Sequence, residues 1–173
     1  NKIYFDIFLP HSIYCFYNST FFRLTFKNKF NRYTKEITTI TPNGLDAKYY
    51  VNSPLADTVR NTKFMYASAP NRGLYEVLLA WPTIRSHLPT ATLSVYYGFS
   101  KSFMKYGKST IPNFEQWHVT MLKMLQQQGV TYVGMVDHNT LATAYANHGF
   151  YLYPTSFPET GCVALMKALA LGK

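Results

Sequence analysis

Acidic residues are scarce in this chain: 8 Asp and Glu stand against 17 Lys and Arg, a formal net charge of +9. An excess of that sign draws anions. Nucleic acid, a phosphate-bearing small molecule and an acidic membrane face all qualify, and charge alone does not choose among them. Cysteine is scarcer still. Cys15 and Cys162 stand far apart with no ligand-type neighbour at metal spacing, which argues against a disulfide framework and a zinc site and leaves both as small core residues. His11, His87, His118, His138 and His148 show no paired spacing of the kind a metal or a catalytic dyad needs. His87 and His118 read as helix-surface residues, and His148 as a helix-end residue facing the dipole. No window approaches about 18 uninterrupted apolar residues, and the start lacks the basic stretch and small-residue cleavage pattern of a signal peptide. A soluble, cytoplasmic chain is the reading. Repeats and low-complexity segments are absent too. The chain opens on Asn1 rather than Met and stops at Lys173 directly after a helical pattern, so a fragment of a longer protein is expected.

What is present suits a packed interior. Of 173 residues, 47% are hydrophobic and 17% aromatic, enough for one domain with an appended piece of a second. Residues 1 to about 35 are dense in aromatics and base (Phe21, Phe22, Arg23, Phe26, Lys27, Phe30, Arg32), a composition suited to an interface with another domain. Beyond them, short runs rich in β-branched and aromatic residues recur at Glu36 to Thr41, Lys63 to Ala67, Thr92 to Tyr97, Val130 to Val133 and Phe150 to Tyr153. Helical patterns lie between. Leu74, Val77, Leu78, Trp81 and Ile84 mark a helix over Gly73 to Arg85, and Trp117, Met121, Leu122 and Leu125 another over Phe114 to Gln128. Asp137-His138-Asn139 offers N-cap candidates for a short helix closed by Gly149, and a last helix runs from about Thr160 to Leu171. Such alternation predicts an α/β domain: a Rossmann-like, doubly wound parallel sheet whose ligand side lies at the carboxyl ends of its strands. Gly98 to Pro112 follows a strand end and reads as the longest loop on that side.

Two strand-to-helix junctions look built for anions. At Ala67-Ser68-Ala69-Pro70-Asn71-Arg72-Gly73-Leu74, an Arg stands beside a helix N-terminus, where it opposes the dipole unless an anion is bound there; free amide N–H groups and a bidentate guanidinium together suit phosphate. A solvated surface Arg is the plainer alternative. At Tyr153-Pro154-Thr155-Ser156-Phe157-Pro158-Glu159-Thr160-Gly161-Cys162, Glu159 is held in a two-proline turn and Gly161 leaves room for a ligand against the backbone; an ordinary capping carboxylate is the plainer alternative there. Thr41-Pro42-Asn43-Gly44-Leu45-Asp46 is a turn at a strand end.

These stretches, with Tyr97-Gly98 and Val133-Gly134, occur in an order that resembles the C-terminal domain of family 4 retaining glycosyltransferases, the GT-B class built of two Rossmann-like domains. The resemblance runs from about Thr38 to the end. It implies that residues 36–173 are a nucleotide-sugar-binding domain, short of its last strand and helix, and that residues 1–35 are the tail of an N-terminal acceptor domain or a linker. It further implies transfer of a glycosyl group from a nucleoside-diphosphate sugar to a hydroxyl acceptor, with retention and with no metal or other cofactor. Arg72 and the backbone amides of Thr160, Gly161 and Cys162 would contact the donor diphosphate, and Glu159 the sugar hydroxyls. Gly73 would join Arg72 at the donor, while Asn43 and Gly44 would lie near the cleft, so that Arg72 and Glu159 are the implied catalytic pair. The implied partners are the nucleotide-sugar and the missing acceptor domain, with no specific nucleic acid, although the charge would also suit an acidic membrane. Two departures stand out: Lys167 occupies the place of a second motif Glu that holds ribose in the family, and Ser68 lies close to that of an earlier phosphate-loop Arg. A cation cannot accept hydrogen bonds from ribose hydroxyls. A non-catalytic descendant that binds nucleotide or sugar is therefore the alternative, and a basic nucleic-acid-binding module the more distant one.

Overall fold

The computed structural model describes residues 15–17, 38–40, 43–49, 62–157 and 161–172. The chain divides into two compact units, one of Asn1–Gly44 with Pro158–Val163, the other of Leu45–Phe157 with Ala164–Lys173. In the first unit, β1 (Cys15–Tyr17) and β2 (Thr38–Ile40) pair in parallel as a separate two-stranded sheet. The run at Glu36 to Thr41 therefore does not join the main sheet, as the alternation alone suggested. Apart from β1, the aromatic segment 1–35 lies outside the described residues.

The second unit carries the main sheet: β3 (Lys63–Ser68), β4 (Thr92–Tyr97), β5 (Val130–Gly134) and β6 (Phe150–Tyr151), all parallel, in the spatial order β5-β4-β3-β6. Side-chain alternation divides β3 between two cores. Phe64 and Tyr66 pack with Leu93 and Val95 of β4 beneath α1 (Leu74–His87) and α3 (Phe114–Met124). Met65 and Ala67 pack on the opposite face with Tyr96, with Ala144 and Tyr145 of α4 (His138–Asn147), and with Ala168 of α5 (Val163–Ala170). A strand buried on both faces is what makes the sheet doubly wound. Tyr145 Oη donates to Ala164 O at 2.9 Å, tying α4 to α5.

Gly98 to Pro112 is not a loop. It contains α2 (Lys101–Thr110), started by Ser100, whose side chain accepts from Phe103 N–H, and held down by buried Phe103 and Gly107. His148 is also more than a helix-end residue: it is buried, its Nδ1 lies 2.7 Å from Ala144 O and its Nε2 3.0 Å from Ser94 Oγ, so it bridges the end of α4 to β4. His118 is half-buried against the rings of Phe99 and Phe114. Of the three N-cap candidates at 137 to 139 it is Asp137 that caps α4, accepting from the N–H groups of Asn139 and Thr140.

α1 has an unusual repair. Pro82 lies inside it and has no N–H to give to Leu78 O, one turn back. Gln127 Nε2 donates to that carbonyl instead, at 2.9 Å, and the neighbouring Trp81 Nε1 donates to Gln128 O at 3.0 Å. The segment that ends α3 at Met124, short of the expected Gln128, thus supplies both groups. Replacing Gln127 with Leu should lower stability by about 1–3 kcal/mol, because a part-buried carbonyl loses its donor. In a Pro82→Ala background, where residue 82 regains its N–H, the same replacement should cost clearly less. Urea unfolding of the four proteins in this cycle measures the coupling; equal losses in both backgrounds would contradict the repair.

Candidate functional site

The strand order reverses at β3. From β3 the chain steps outward to β4 and β5, then returns past β3 to lay down β6 on its other side. The segments leaving the carboxyl ends of β3 and β6 therefore part, β3 leading to α1 on one face and β6 leading toward α5 on the other. In open α/β sheets, such a reversal is where a crevice opens for ligands.

In the second unit, the Ala67–Leu74 junction and the Tyr153–Phe157 part of the other flank this point. Beyond β3, Arg72 N–H donates to Ala69 O at 3.0 Å, closing a turn, and the same carbonyl accepts the Tyr66 hydroxyl at 2.7 Å. Tyr66 is fully buried, and burial holds its phenol far above the ordinary tyrosine value, so it remains a protonated donor. Gly73 is the N-cap of α1 with φ +100°, and, having no side chain, it caps none of the N–H groups of the first turn. Those groups and the dipole behind them are suited to an anion. Beyond β6, Thr155 N–H donates to Tyr153 O at 2.9 Å and Thr155 Oγ1 accepts Phe157 N–H at 3.1 Å, so the segment folds on itself. The two junctions touch. A Cβ built on Gly73 would stand 2.5 Å from Pro154 O and 2.8 Å from its carbonyl carbon. One residue back, the Arg72 guanidinium carbon lies 4.2 Å from the centre of the Phe157 ring.

In the first unit, Asn43 Nδ2 donates to Gly161 O at 2.9 Å, joining residues 118 positions apart. The close approach that Gly161 permits is thus used by Asn43. Gly44 faces open space, and Cys162 is half-buried. Glu159 and Thr160 lie outside the described residues. In the second unit, Asp46 sits over a short 3-10 turn, accepting Lys48 N–H at 3.2 Å and pairing with Lys48 Nζ at 3.0 Å. That hydrogen bond holds its carboxyl below the ordinary value. Lys167 of α5 is half-buried, and burial pulls its ammonium below the ordinary lysine range. Among the described residues, no three His, Cys, Asp or Glu side chains gather as metal ligands, and no helix is long and apolar enough to cross a membrane.

Sequence reasoning left Phe157 and Tyr66 without roles. Tyr66 lies inside β3 and Phe157 in the segment beyond β6, and an aromatic at either place marks core as readily as site. Tyr66 reaches Arg72 through the shared Ala69 carbonyl, and the pairing of β3 with β6 brings Phe157 to it.

No family model matches the sequence, and no curated protein matches it. Among solved structures the chain is similar to HepE of Anabaena in complex with UDP and glucose, at 16% identity over 91% of this chain and 42% of that one, with a TM-score of 0.63. It is similar also to the pneumococcal O-GlcNAc transferase GtfA in complex with UDP and GlcNAc, at 15% identity over 91% of this chain and 28% of that one, with a TM-score of 0.59. Sucrose-phosphate synthase from Thermosynechococcus elongatus gives 16% identity, 91% and 38% coverage and a TM-score of 0.61. The chain spans less than half the length of each of these proteins. At such identities the likeness establishes the fold, a Rossmann-like α/β sheet.

Replacing Gly73 with Ala should destabilise the chain by at least about 1–2 kcal/mol, the ordinary cost of a left-handed backbone at a residue with a Cβ, with the Pro154 clash added. Gly44→Ala, which enters open space, should stay within about 0.5 kcal/mol. Urea midpoints compare them, and a Gly73→Ala protein as stable as Gly44→Ala would disprove the tight approach.

Proposed function

We propose that the chain is the donor-binding domain of a retaining glycosyltransferase of the two-domain GT-B class, and that it grips the diphosphate of a nucleoside-diphosphate sugar. The observation that carries this reading is the position of Arg72: a guanidinium beside an uncapped helix N-terminus, at the point where the strand order of a parallel sheet reverses. HepE and GtfA, similar in fold, were solved with UDP and a sugar, which supports a nucleotide-sugar as the ligand here. Hexosyl transfer to a hydroxyl then rests on electrostatics. Arg72 and oriented backbone amides stabilise the departing diphosphate, where charge builds in the transition state. Arg72 and the amides of Thr160, Gly161 and Cys162 take the phosphates, with Gly73 beside Arg72 at the donor. Glu159 orients the sugar through its hydroxyls, and Asn43 and Gly44 border the donor. No metal enters this scheme. Residues 36–173 form the donor domain and residues 1–35 lead from the acceptor domain.

A second reading, a descendant that binds nucleotide or sugar without turnover, is favoured by one residue. Half-buried Lys167 stands where the family resemblance calls for an acceptor of ribose hydroxyls, and an ammonium has no acceptor to offer. Binding without transfer by a longer parent protein would select it.

Titrating UDP into the chain tests the shared premise. Arg72→Ala should weaken binding by about 10- to 100-fold, the loss of a charge-assisted hydrogen bond of about 1.5–3 kcal/mol. Most of that loss should persist at high salt. Lys101→Ala and Lys105→Ala remove equal charges from exposed positions on α2, where a Debye length of about 8 Å at physiological salt screens them. Their effects should be small and fade as salt rises. Equal losses in all three variants, vanishing together with salt, or tighter binding of single-stranded RNA than of UDP, would defeat the proposal.

A further inference from the structure

Resting on the donor-binding reading above, we infer that Phe157 is a positioning residue for Arg72: affinity for the donor diphosphate depends on an aromatic ring at position 157. The guanidinium carbon lies 4.2 Å from the ring centre, well inside the range of about 6 Å over which a ring face attracts a cation. Both partners are half-buried, so water screens the contact only in part.

The main chain that carries the ring and the main chain that carries the cation are each held from their own side. Phe157 N–H is held by Thr155 Oγ1 at 3.1 Å, and Thr155 N–H by Tyr153 O at 2.9 Å, which sets the course of the main chain after β6. Arg72 N–H is held by Ala69 O at 3.0 Å, a carbonyl already anchored by buried Tyr66 at 2.7 Å. The two segments meet at Gly73 and Pro154, adjacent in sequence to Arg72 and three residues before Phe157. These contacts set the main chain on both sides from which the ring and the cation project.

An arginine side chain left to itself samples many rotamers and loses that freedom when it closes on an anion. Contact with the ring restricts it beforehand, which improves affinity by preorganisation. A ring face also occupies none of the five guanidinium N–H donors, so the contact does not compete with phosphate for them. It covers one side of the cation with hydrocarbon, and hydrogen bonds from a partly desolvated charge are stronger.

The experiment compares UDP affinity across Phe157→Leu, Phe157→Met, Phe157→Tyr, Arg72→Ala and the Arg72→Ala/Phe157→Leu double variant, with thermal unfolding recorded for each. Phe157→Leu and Phe157→Met, two apolar replacements that remove the ring face, should each weaken binding by about three- to tenfold. Phe157→Tyr, which keeps the ring face, should restore affinity to within about twofold of the parent. In the Arg72→Ala background, Phe157→Leu should add almost nothing, because the group it positions is gone. Unchanged affinity in folded Phe157→Leu and Phe157→Met overturns the inference, as does a Tyr variant as weak as the Leu variant, or a full additional loss in the double variant. Those outcomes leave the donor-binding reading standing when Arg72→Ala alone remains weak. An Arg72→Ala chain that binds UDP as the parent does defeats the reading and the inference together.

Discussion

Gly73 has room for a hydrogen where any other residue would carry a carbon, and the candidate site depends on that. Its left-handed backbone lets the chain turn from the end of β3 into α1 within a few residues, and the empty side lets the Pro154 carbonyl come against it. The two segments that flank the strand reversal are thereby locked together just below the positions that carry charge and ring. Arg72 owes its location to this contact on one side and to the Ala69 turn on the other. A bulkier residue at 73 would separate the segments and move the cation from its ring.

The framework behind the site is built with the same economy of donors. Ala69 O accepts from two groups, Leu78 O takes a side-chain amide in place of a missing backbone one, and His148 reaches both a helix carbonyl and a strand hydroxyl. Two of these bonds, Gln127 to Leu78 O and His148 to Ser94 Oγ, tie one element of secondary structure to another, and the rest hold turns and helix ends. Buried carbonyls without donors are costly, so such ties fix the spacing of helix and sheet more firmly than apolar contact alone. A phosphate-binding helix end needs that fixity, since its N–H groups act only over hydrogen-bond distance.

Local pattern made the sheet legible. The runs at Lys63, Thr92 and Val130 are dense in β-branched and aromatic residues, and the stripe from Leu74 to Trp81 repeats at helical spacing, so strands and helices alternate as expected. Asp137 announced its helix by its own chemistry. Where pairing is long-range, the sequence says little: Thr38–Ile40 carries a strand pattern, yet nothing local tells whether its partner is Cys15–Tyr17 or the main sheet. α2 was obscured by composition. Ser, Lys and Gly dominate it, and only Phe103 and Gly107, one turn apart, mark the stripe that packs. At the site, the position of Arg72 was readable because a cation at a helix N-terminus is locally unfavourable. Its ring partner was not, because the contact crosses from one strand end to another.

The bond between Asn43 and Gly161 spans 118 positions, and most of the intervening chain is the β3-to-β6 sheet with its helices. In an unfolded chain, closing so long a loop costs entropy with only one hydrogen bond in return. During synthesis the Asn43 segment leaves the ribosome first, and the residue it holds follows only 118 positions later.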